Sequence, residues 1–351
     1  PNASFMAFTG TPLLSETAKA SDSGDSGKTR EIFGDYVSVY NFADAVDDGA
    51  TLPLYYENRV PEVSLSSDDV GKEIADIIEE SDLTDEQENR LEQEFAKAYH
   101  IITRDDRLET IANDLVEHYI NRSPFNDAKL GKAMVVSIDQ ATAIKMYDKV
   151  NDAWKLKLKS LKSKVKFAKG SRLAKLQFQI EHMESTDMAV VVSGGQNDEE
   201  RLAKKGLDYK THRERFVKEE IDEKFKDPDD NLRIVFVCAM WLTGFDAPSV
   251  STLYLDKPLK NHTLMQTIAR ANRVYPGKSA GQVVDYINIF SALQQALGLY
   301  GGGQVAEPGA GYNVDSPARD KRELISALAT AIVELNEFLK KQGIDLEAII
   351  S

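Results

Sequence analysis

Short apolar segments separated by polar ones dominate the second half of the chain. Five of them have the length and composition of buried strands: residues 133–138, 188–192, 233–238, 252–255 and 282–287. Amphipathic segments lie between them, from residue 141 onward and at residues 212–225 and 262–272. Short apolar strands that alternate with helices form parallel sheets covered on both faces, so the pattern predicts an α/β fold.

The first half has a different rhythm. Residues 5–14 are typical of a strand that ends in Thr-Gly-Thr-Pro, residues 15–29 of a polar, mobile loop, and residues 51–56 of a second strand. Apolar residues at helical spacing between 69 and 122 predict a helical insertion. After a glycine-rich break at 301–311, the same spacing predicts that residues 316–350 form a helical extension.

Composition favours a protein of the cytoplasm. The only cysteine, Cys238, cannot form an internal disulfide bond, and the N-terminus has no secretory signal pattern. Charged residues make up 28% of the chain, and no apolar run approaches the ~20 residues of a membrane span. The chain does not begin with methionine, so we expect a fragment of a larger protein. A net charge of −14 argues against a basic surface covering the whole molecule.

Positive charge is nevertheless concentrated in one stretch. Residues 153–180 contain no acidic residue and nine basic ones: Lys155, Lys157, Lys159, Lys162, Lys164, Lys166, Lys169, Arg172 and Lys175. Such a stretch could follow a DNA backbone. It could equally be the solvated face of a long helix whose apolar side, with Leu156, Leu161 and Val165, packs elsewhere. The sequence leaves both interpretations open.

A polar loop directly follows the apolar segment 233–238. In open α/β sheets, ligands bind at the carboxyl ends of strands, where this loop places Thr243, Gly244 and Asp246. Glycine allows close backbone approach, and the other two offer short hydrogen-bonding groups. The alternative is an ordinary loop with a glycine turn and an aspartate cap.

A basic segment follows about twenty residues later. Gln266, Arg270 and Arg273 have i, i+4, i+7 spacing. If the predicted helix at 262–272 continues to residue 273, all three side chains share one face. No acidic residue occurs from 257 to 278, whereas an ordinary solvated face mixes both charges. Guanidinium groups bind phosphate oxygens in pairs, so this face suits a polyphosphate.

Two other motifs fail on spacing. The segment 24–29 resembles the end of a phosphate-binding loop, but that motif requires glycine where Asp22 stands, and no strand precedes it. The five histidines show no metal-ligand spacing with Cys238, so we predict no metal site.

The order of these segments resembles superfamily 2 helicases. The Thr-Gly-Phe-Asp loop and the Gln-x-x-x-Arg-x-x-Arg segment resemble motifs V and VI, and the opening residues Thr9 to Leu13 resemble motif III. The segment MWLTGFDAPSVSTLYLDKPLKNHTLMQTIARANRVYPGK resembles more specifically the R (motor and nuclease) subunits of type I restriction enzymes. FGDYVSVYNFADAVDDGATLPLYYENR and the motif IV region GKAMVVSIDQATAIKMYDKV extend this resemblance over most of residues 5–300.

The resemblance implies a fragment that starts at motif III, with a RecA-like parallel sheet. Residues 1–50 would end the first lobe, 51–300 form the second motor lobe with a helical insertion at about 66–122, and 301–351 begin a helical domain. Arg273, Arg270 and Gln266 would face the triphosphate, with Arg273 as the arginine finger. Thr243, Gly244 and Asp246 would line the nucleotide and DNA cleft. The residues that would couple ATP to DNA are Thr9 and Thr11, with Lys155, Lys157 and Lys159 along the basic stretch.

The implied function is ATP-driven translocation of duplex DNA before cleavage, within a bacterial type I site-specific deoxyribonuclease. ATP and Mg²⁺ would be the cofactors of the full subunit, with the magnesium ligands and the phosphate loop outside this fragment, which alone would be inactive. The partners would be DNA, the first lobe, and the methyltransferase and specificity subunits. Two alternatives stay open: a docking module for the methyltransferase core, and another superfamily 2 helicase or remodelling enzyme.

Overall fold

A computed structural model of the chain describes most of its second half and part of its first. The described residues are 37–38, 40–59, 96–122, 131–195, 197–259, 261–289, 292–293, 318–320, 325–326, 328–333 and 335. The predicted strand at 5–14, with Thr9 and Thr11, the loop at 15–29 and the glycine-rich break lie outside them. In the described part, no helix is long and apolar enough to cross a membrane.

A parallel β-sheet forms the centre of the described structure. Its seven strands are β1 (Leu54–Asn58), β2 (Lys132–Ser137), β3 (Asp187–Val191), β4 (Leu232–Val237), β5 (Val250–Asp256), β6 (Gly281–Asp285) and β7 (Ala318–Asp320). Their order across the sheet is β3-β4-β2-β5-β6-β1-β7, and every pairing is parallel. The predicted α/β class is confirmed.

Helices connect and cover the strands. They are α1 (Phe42–Asp47), α2 (Ala96–Ile102), α3 (Asp105–Asn121), α4 (Gln140–Val165), α5 (Gly170–Ser185), α6 (Asp198–Lys204), α7 (Tyr209–Lys218), α8 (Ile221–Lys226) and α9 (Asn261–Ile268). The predicted long helix through the basic stretch is α4.

The two faces of the sheet bury separate hydrophobic clusters. Along β2, Met134 and Val136 join one cluster, which α8 and α9 cover, while Ala133 and Val135 join the other, which α3, α4 and α5 cover. This is the side-chain alternation of a strand buried on both faces. The continuous apolar strands of the sequence therefore reflect helices on both faces of the sheet.

Helix α3, from the predicted insertion, is packed into this structure. Its Leu108, Ile111 and Leu115 are buried in the cluster shared with α4. Its Arg107 forms a buried ion pair with Asp256 at the end of β5, with Nη2 2.5 Å from Oδ1, and donates to the carbonyl of Tyr286. The helix thus contributes to the core of the sheet.

Three element predictions need correction. The strand predicted at 51–56 begins only at Leu54. The helix predicted at 212–225 divides into α7 and α8, because Glu220 adopts a left-handed conformation with φ of 48°. The extension predicted as helical from 316 contains β7, a strand that pairs with β1, although described positions from 325 to 335 are helical.

Candidate functional site

The loop between β4 and β5 leaves the carboxyl edge of the sheet with its aromatic side chains turned inward. Trp241 and Phe245 stack with ring centroids 4.1 Å apart and planes 3° from parallel, and Phe225 of α8 stacks on both. Two residues adopt left-handed conformations, Trp241 with φ of 70° and Gly244 with φ of 66°. The stack stabilises a strained backbone at Trp241, since bulky residues rarely adopt positive φ.

Anchored in this way, the loop presents its polar residues to solvent. Thr243, Gly244 and Asp246 are all exposed, between buried neighbours. The structure places these three predicted residues together at the carboxyl edge of a parallel sheet, where ligands of such folds bind. A Cβ atom built on Gly244 meets nothing within 4 Å, so glycine is required here for its φ angle alone.

Arg270 holds this loop from behind. Its Nε donates to the carbonyl oxygen of Leu242 at 3.2 Å, and its Nη1 donates to the carbonyl oxygen of Phe245. Burial lowers the pKa of Arg270, and the charge of Arg273 lowers it further. The guanidinium therefore spans the left-handed turn at Gly244 and fixes its shape.

Arg273 reaches the same loop from its exposed side. Its Nε lies 3.2 Å from Oδ1 of Asp246, and the two side chains are 43% and 58% exposed. An exposed ion pair of this kind is worth about 0–1 kcal/mol, so it can exchange for another anion at small cost. Of the two arginines, Arg273 is the more exposed and the more weakly held.

The prediction that Gln266, Arg270 and Arg273 share one helix face is wrong. Helix α9 ends at Ile268, so only half-buried Gln266 belongs to it. Beyond that point the amides of Arg270 and Ala271 bond to carbonyls three residues back, which tightens and then ends the helix. The two arginines instead contact different parts of the Thr-Gly-Phe-Asp loop, Arg270 its backbone carbonyls and Arg273 the side chain of Asp246.

A second cation, Lys278, holds the other end of the loop. Its buried Nζ donates to the carbonyl oxygens of Pro248 at 3.2 Å and Val250 at 2.5 Å. Burial lowers the pKa of Lys278 to about 7, and the charge of Arg273 adds to this effect. Arg270 and Lys278 together bind four carbonyl oxygens of residues 242–250, so the basic segment and the loop form one unit.

Close backbone packing fixes this unit against the sheet. A Cβ atom on Gly281 would lie 2.3 Å from the carbonyl oxygen of Ala271, so only glycine lets β6 pass the basic segment. Nearby, the carbonyl of Asn272 accepts from the amide of Leu52 at 2.7 Å. Asn272 does not adopt a positive φ. Glycine is therefore not needed at that position.

The basic stretch lies at the other edge of the sheet. Helix α4 starts just after β2 and has 26 residues, about 39 Å, twice the roughly 20 Å of the strand. Trp154 packs on Tyr119, whose hydroxyl donates to the carbonyl of Gly131, the residue before β2. Trp154 is therefore level with the amino edge, and the residues after it extend beyond. The structure does not bring Lys155, Lys157 and Lys159 together with the loop at the carboxyl edge.

The three predicted lysines differ in environment. Lys157 forms an ion pair with Glu117 of α3, whereas Lys155 and Lys159 are exposed. The helix buries Leu161 and half-buries Val165, but Leu156 stays 68% exposed, so the apolar side expected to pack elsewhere is only partly covered. A role for these lysines in DNA coupling stays a prediction.

Sequence reasoning missed Lys278 and the aromatic stack. Lys278 ends the segment 257–278, which contains no acidic residue, and this was the sequence feature that could have indicated it. The charge pattern alone does not show that a lysine is buried. Among the described residues, no group of three or more His, Cys, Asp or Glu side chains is arranged to hold a metal ion.

Two family models match parts of the chain. A model for domain 3 of type I restriction enzyme subunit R matches residues 129–288, which contain β2 to β6. A model for the SWI2/SNF2 ATPase matches residues 1–89.

Relatives match over most of the chain. A Methanocaldococcus jannaschii protein named as the MjaIXP endonuclease subunit of a type I restriction enzyme is 34% identical, covering 86% of this chain and 24% of its own length. The HindI endonuclease subunit of Haemophilus influenzae is 32% identical, covering 88% and 25%. A fragment structure ascribed to an HsdR subunit from Vibrio vulnificus covers 79% of this chain and 39% of that one, with 15% identity and a TM-score of 0.45. The chain belongs to the family of type I restriction enzyme endonuclease (R) subunits and spans about a quarter of the length of these relatives.

Proposed function

We propose that this chain provides the second RecA-like motor lobe, about residues 51–300, of an ATP-dependent DNA translocase within a type I restriction enzyme. The observation that carries the proposal is the unit at the carboxyl edge. There an exposed Thr-Gly-Phe-Asp loop is held by Arg270 and Lys278 and contacted by the exposed Arg273. Such a unit can contact a nucleotide through a cation and backbone groups, while a phosphate loop elsewhere binds the phosphates.

Each residue of the unit has a proposed role. Arg273 leaves Asp246 and contacts the transferring phosphoryl group, whose developing charge a guanidinium stabilises. Arg270 positions the loop, so that Thr243 and Gly244 keep their place beside the nucleotide and DNA, and Gln266 faces the triphosphate from α9. ATP, with Mg²⁺ held elsewhere in the subunit, would supply the phosphoanhydride whose hydrolysis drives movement.

The proposed partners follow from this role. The first RecA-like lobe of the same subunit would supply the phosphate loop, and duplex DNA would be the track. The relatives carry names of endonuclease subunits of type I restriction enzymes, which supports assembly with methyltransferase and specificity subunits and cleavage of unmodified DNA by the whole enzyme.

The test compares arginines in the intact subunit. Arg273→Ala should lower DNA-stimulated ATP turnover about 10³-fold or more, and Arg273→Lys should restore little, because a point charge cannot replace the planar fork. Nucleotide affinity should stay nearly unchanged, since the phosphate loop dominates binding. The measurement is steady-state ATP turnover beside nucleotide affinity.

The matched control is Arg104→Ala. Arg104 is 38% exposed and pairs with Asp106 at 2.5 Å, much as Arg273 pairs with Asp246, but it lies at the N-cap of α3. Its replacement should leave turnover within a factor of two. Normal turnover in Arg273→Ala would remove Arg273 from the catalytic residues.

A further inference from the structure

Three lysines on the part of α4 that extends beyond the amino edge, and a fourth at its C-cap, form a row. Lys155, Lys159, Lys162 and Lys166 have i, i+4, i+7, i+11 spacing, which places them on one face of the helix over about 16 Å. All four are exposed. We call this row, with its neighbouring side chains, the basic stripe. Lys157 and Lys164 project from the opposite face, towards Glu117.

The charge of the stripe is only weakly compensated. Lys155 lies 3.2 Å from Asp152 and Lys162 lies 2.6 Å from Glu184, but all four of these side chains are at least half exposed. Exposed pairs of this kind contribute about 0–1 kcal/mol. Lys159 and Lys166 form no ion pair with any described residue. In a chain of net charge −14, the stripe is a local exception.

Two exposed apolar side chains accompany the stripe. Phe167, in the turn between α4 and α5, is 88% exposed, and Leu156 is 68% exposed. None of the residues from 162 to 175 is buried. A phenylalanine that is 88% exposed between lysines gains little from the core of this chain, so its ring is accessible to a partner that the lysines bind.

We propose that the basic stripe binds the backbone of duplex DNA, with Phe167 inserted beside a base step. A row of about 16 Å with four cations faces a polyanion that carries one charge per about 1.7 Å of its axis, so the row can contact several phosphates at once. Lysines bind phosphates irrespective of sequence, and an apolar wedge beside such contacts is a known way to enter the minor groove. The stripe is a second DNA contact, at the edge opposite the Thr-Gly-Phe-Asp loop, and it does not depend on the proposed motor role.

The first test removes the two lysines that form no ion pair with a described residue. Lys159→Ala with Lys166→Ala should weaken binding of the chain to a 30-base-pair duplex about tenfold at low salt. It should also reduce the slope of log affinity against log salt concentration by about 2, one for each lost phosphate contact. Fluorescence anisotropy over a series of salt concentrations measures both quantities.

The matched control removes two lysines of α7. Lys210 and Lys218 are 64% and 71% exposed, and each lies near a glutamate. Lys210→Ala with Lys218→Ala changes the net charge equally and should change affinity less than twofold. Equal losses in both double variants would show that only net charge matters and would overturn the proposal. So would an unchanged slope in the stripe variant.

The second test concerns Phe167. A duplex carrying 2-aminopurine should brighten on binding, because a wedge unstacks the fluorescent base, and Phe167→Ala should abolish the brightening while leaving the salt slope unchanged. A single strand of equal length should bind at least tenfold more weakly than the duplex. Tighter binding to the single strand, or to an acidic protein with no binding to duplex, would overturn the assignment.

Discussion

The cations of residues 257–278 show how position decides what a positive charge does. Lys257 donates to the carbonyl of Cys238 at 2.7 Å, and Lys278 and Arg270 donate to carbonyls of the neighbouring loop. All three stabilise the backbone, since buried carbonyls need donors. Among the described cations of this segment, Arg273 alone combines positive charge with wide exposure and a weakly held partner. This exposure is the reason for proposing that Arg273, and not Arg270, contacts the phosphoryl group.

Burial of Lys278 should make stability depend on pH. Its folded pKa, about 7, lies below the ordinary 10.5, so between these values the unfolded chain binds more protons. The free energy of unfolding should therefore rise with pH in that window, by at most about 1.4 kcal/mol per pH unit. Lys278→Met should remove this contribution, as urea unfolding at pH 6.5, 8 and 9.5 would show.

Lys132→Met is the comparison for this variant. Lys132 is also buried, burial lowers its pKa to about 8, and its Nζ donates to the carbonyl of Lys224 at 2.9 Å. This variant should keep the rise between pH 7 and 8 that belongs to Lys278. Identical profiles for Lys278→Met and the unaltered chain would contradict the burial argument.

Residue types and their order predicted the polar loop and the arginines, but not which atoms of the loop each arginine contacts. The loop residues Thr243, Gly244 and Asp246 do lie together at a strand end, as glycine and short polar groups after an apolar run indicate. The shared helix face failed because helical spacing assumes that the helix continues. Here the end of α9 depends on contacts of Arg270 and Asn272 with distant backbone, which local spacing does not contain.

At the scale of elements, the turn at Gly244 is the part of the site that we expect to be most sensitive to substitution. Gly244→Ala puts a side chain at φ of 66° without a clash, so it should cost about 1 kcal/mol of folding stability. In the intact subunit it should also lower ATP turnover, because the turn that presents Thr243 and Asp246 shifts. Urea unfolding and steady-state turnover measure the two effects.

Gly206→Ala separates the two effects. Gly206 has φ of 76° and open space around its Cβ position, but lies between α6 and α7. The same stability cost with unchanged turnover is expected. If both alanine variants lowered turnover equally, the effect would reflect stability and not the site.

The strands were the most predictable elements. Their apolar runs are long enough to be recognised, and β2 to β6 lie within two residues of the predicted bounds because burial on both faces leaves no polar interruption. Strand β7 was missed: Ala-Arg-Asp has no strand pattern and is held through its pairing with β1. The break before α8 was missed for a related reason, since nothing about Glu220 in the sequence indicates positive φ.

At the scale of the whole molecule, two surfaces lie at opposite edges of one sheet. The carboxyl edge carries the loop with Arg273, and the amino edge carries the basic stripe. The sequence alone does not show this separation. Neither the residue types of Lys155 and Thr243 nor their positions along the chain indicate at which edge of the sheet each one lies. The separation follows from topology: α4 leaves the carboxyl end of β2 and runs past its amino end.

The chain alone should hydrolyse ATP no faster than a buffer blank. Its sequence contains no complete Gly-x-x-x-x-Gly-Lys-Ser/Thr motif, because Asp22 stands where the segment at 24–29 would need glycine. The measurement is phosphate release with and without duplex DNA, with the intact subunit as positive control. DNA-stimulated hydrolysis by the chain would show that its polar segment at 24–29 binds phosphate after all.

The stacked Trp241 and the packed Trp154 have a practical consequence. The chain has only these two tryptophans, and one lies at each edge of the sheet. Its emission, when tryptophan alone is excited, is therefore the sum of two reporters, one beneath the Gly244 turn and one at the start of the basic stripe. Replacing either tryptophan by phenylalanine leaves the other as the single fluorescent tryptophan of the chain. Changes at the two edges of the sheet can then be followed separately without attaching a dye.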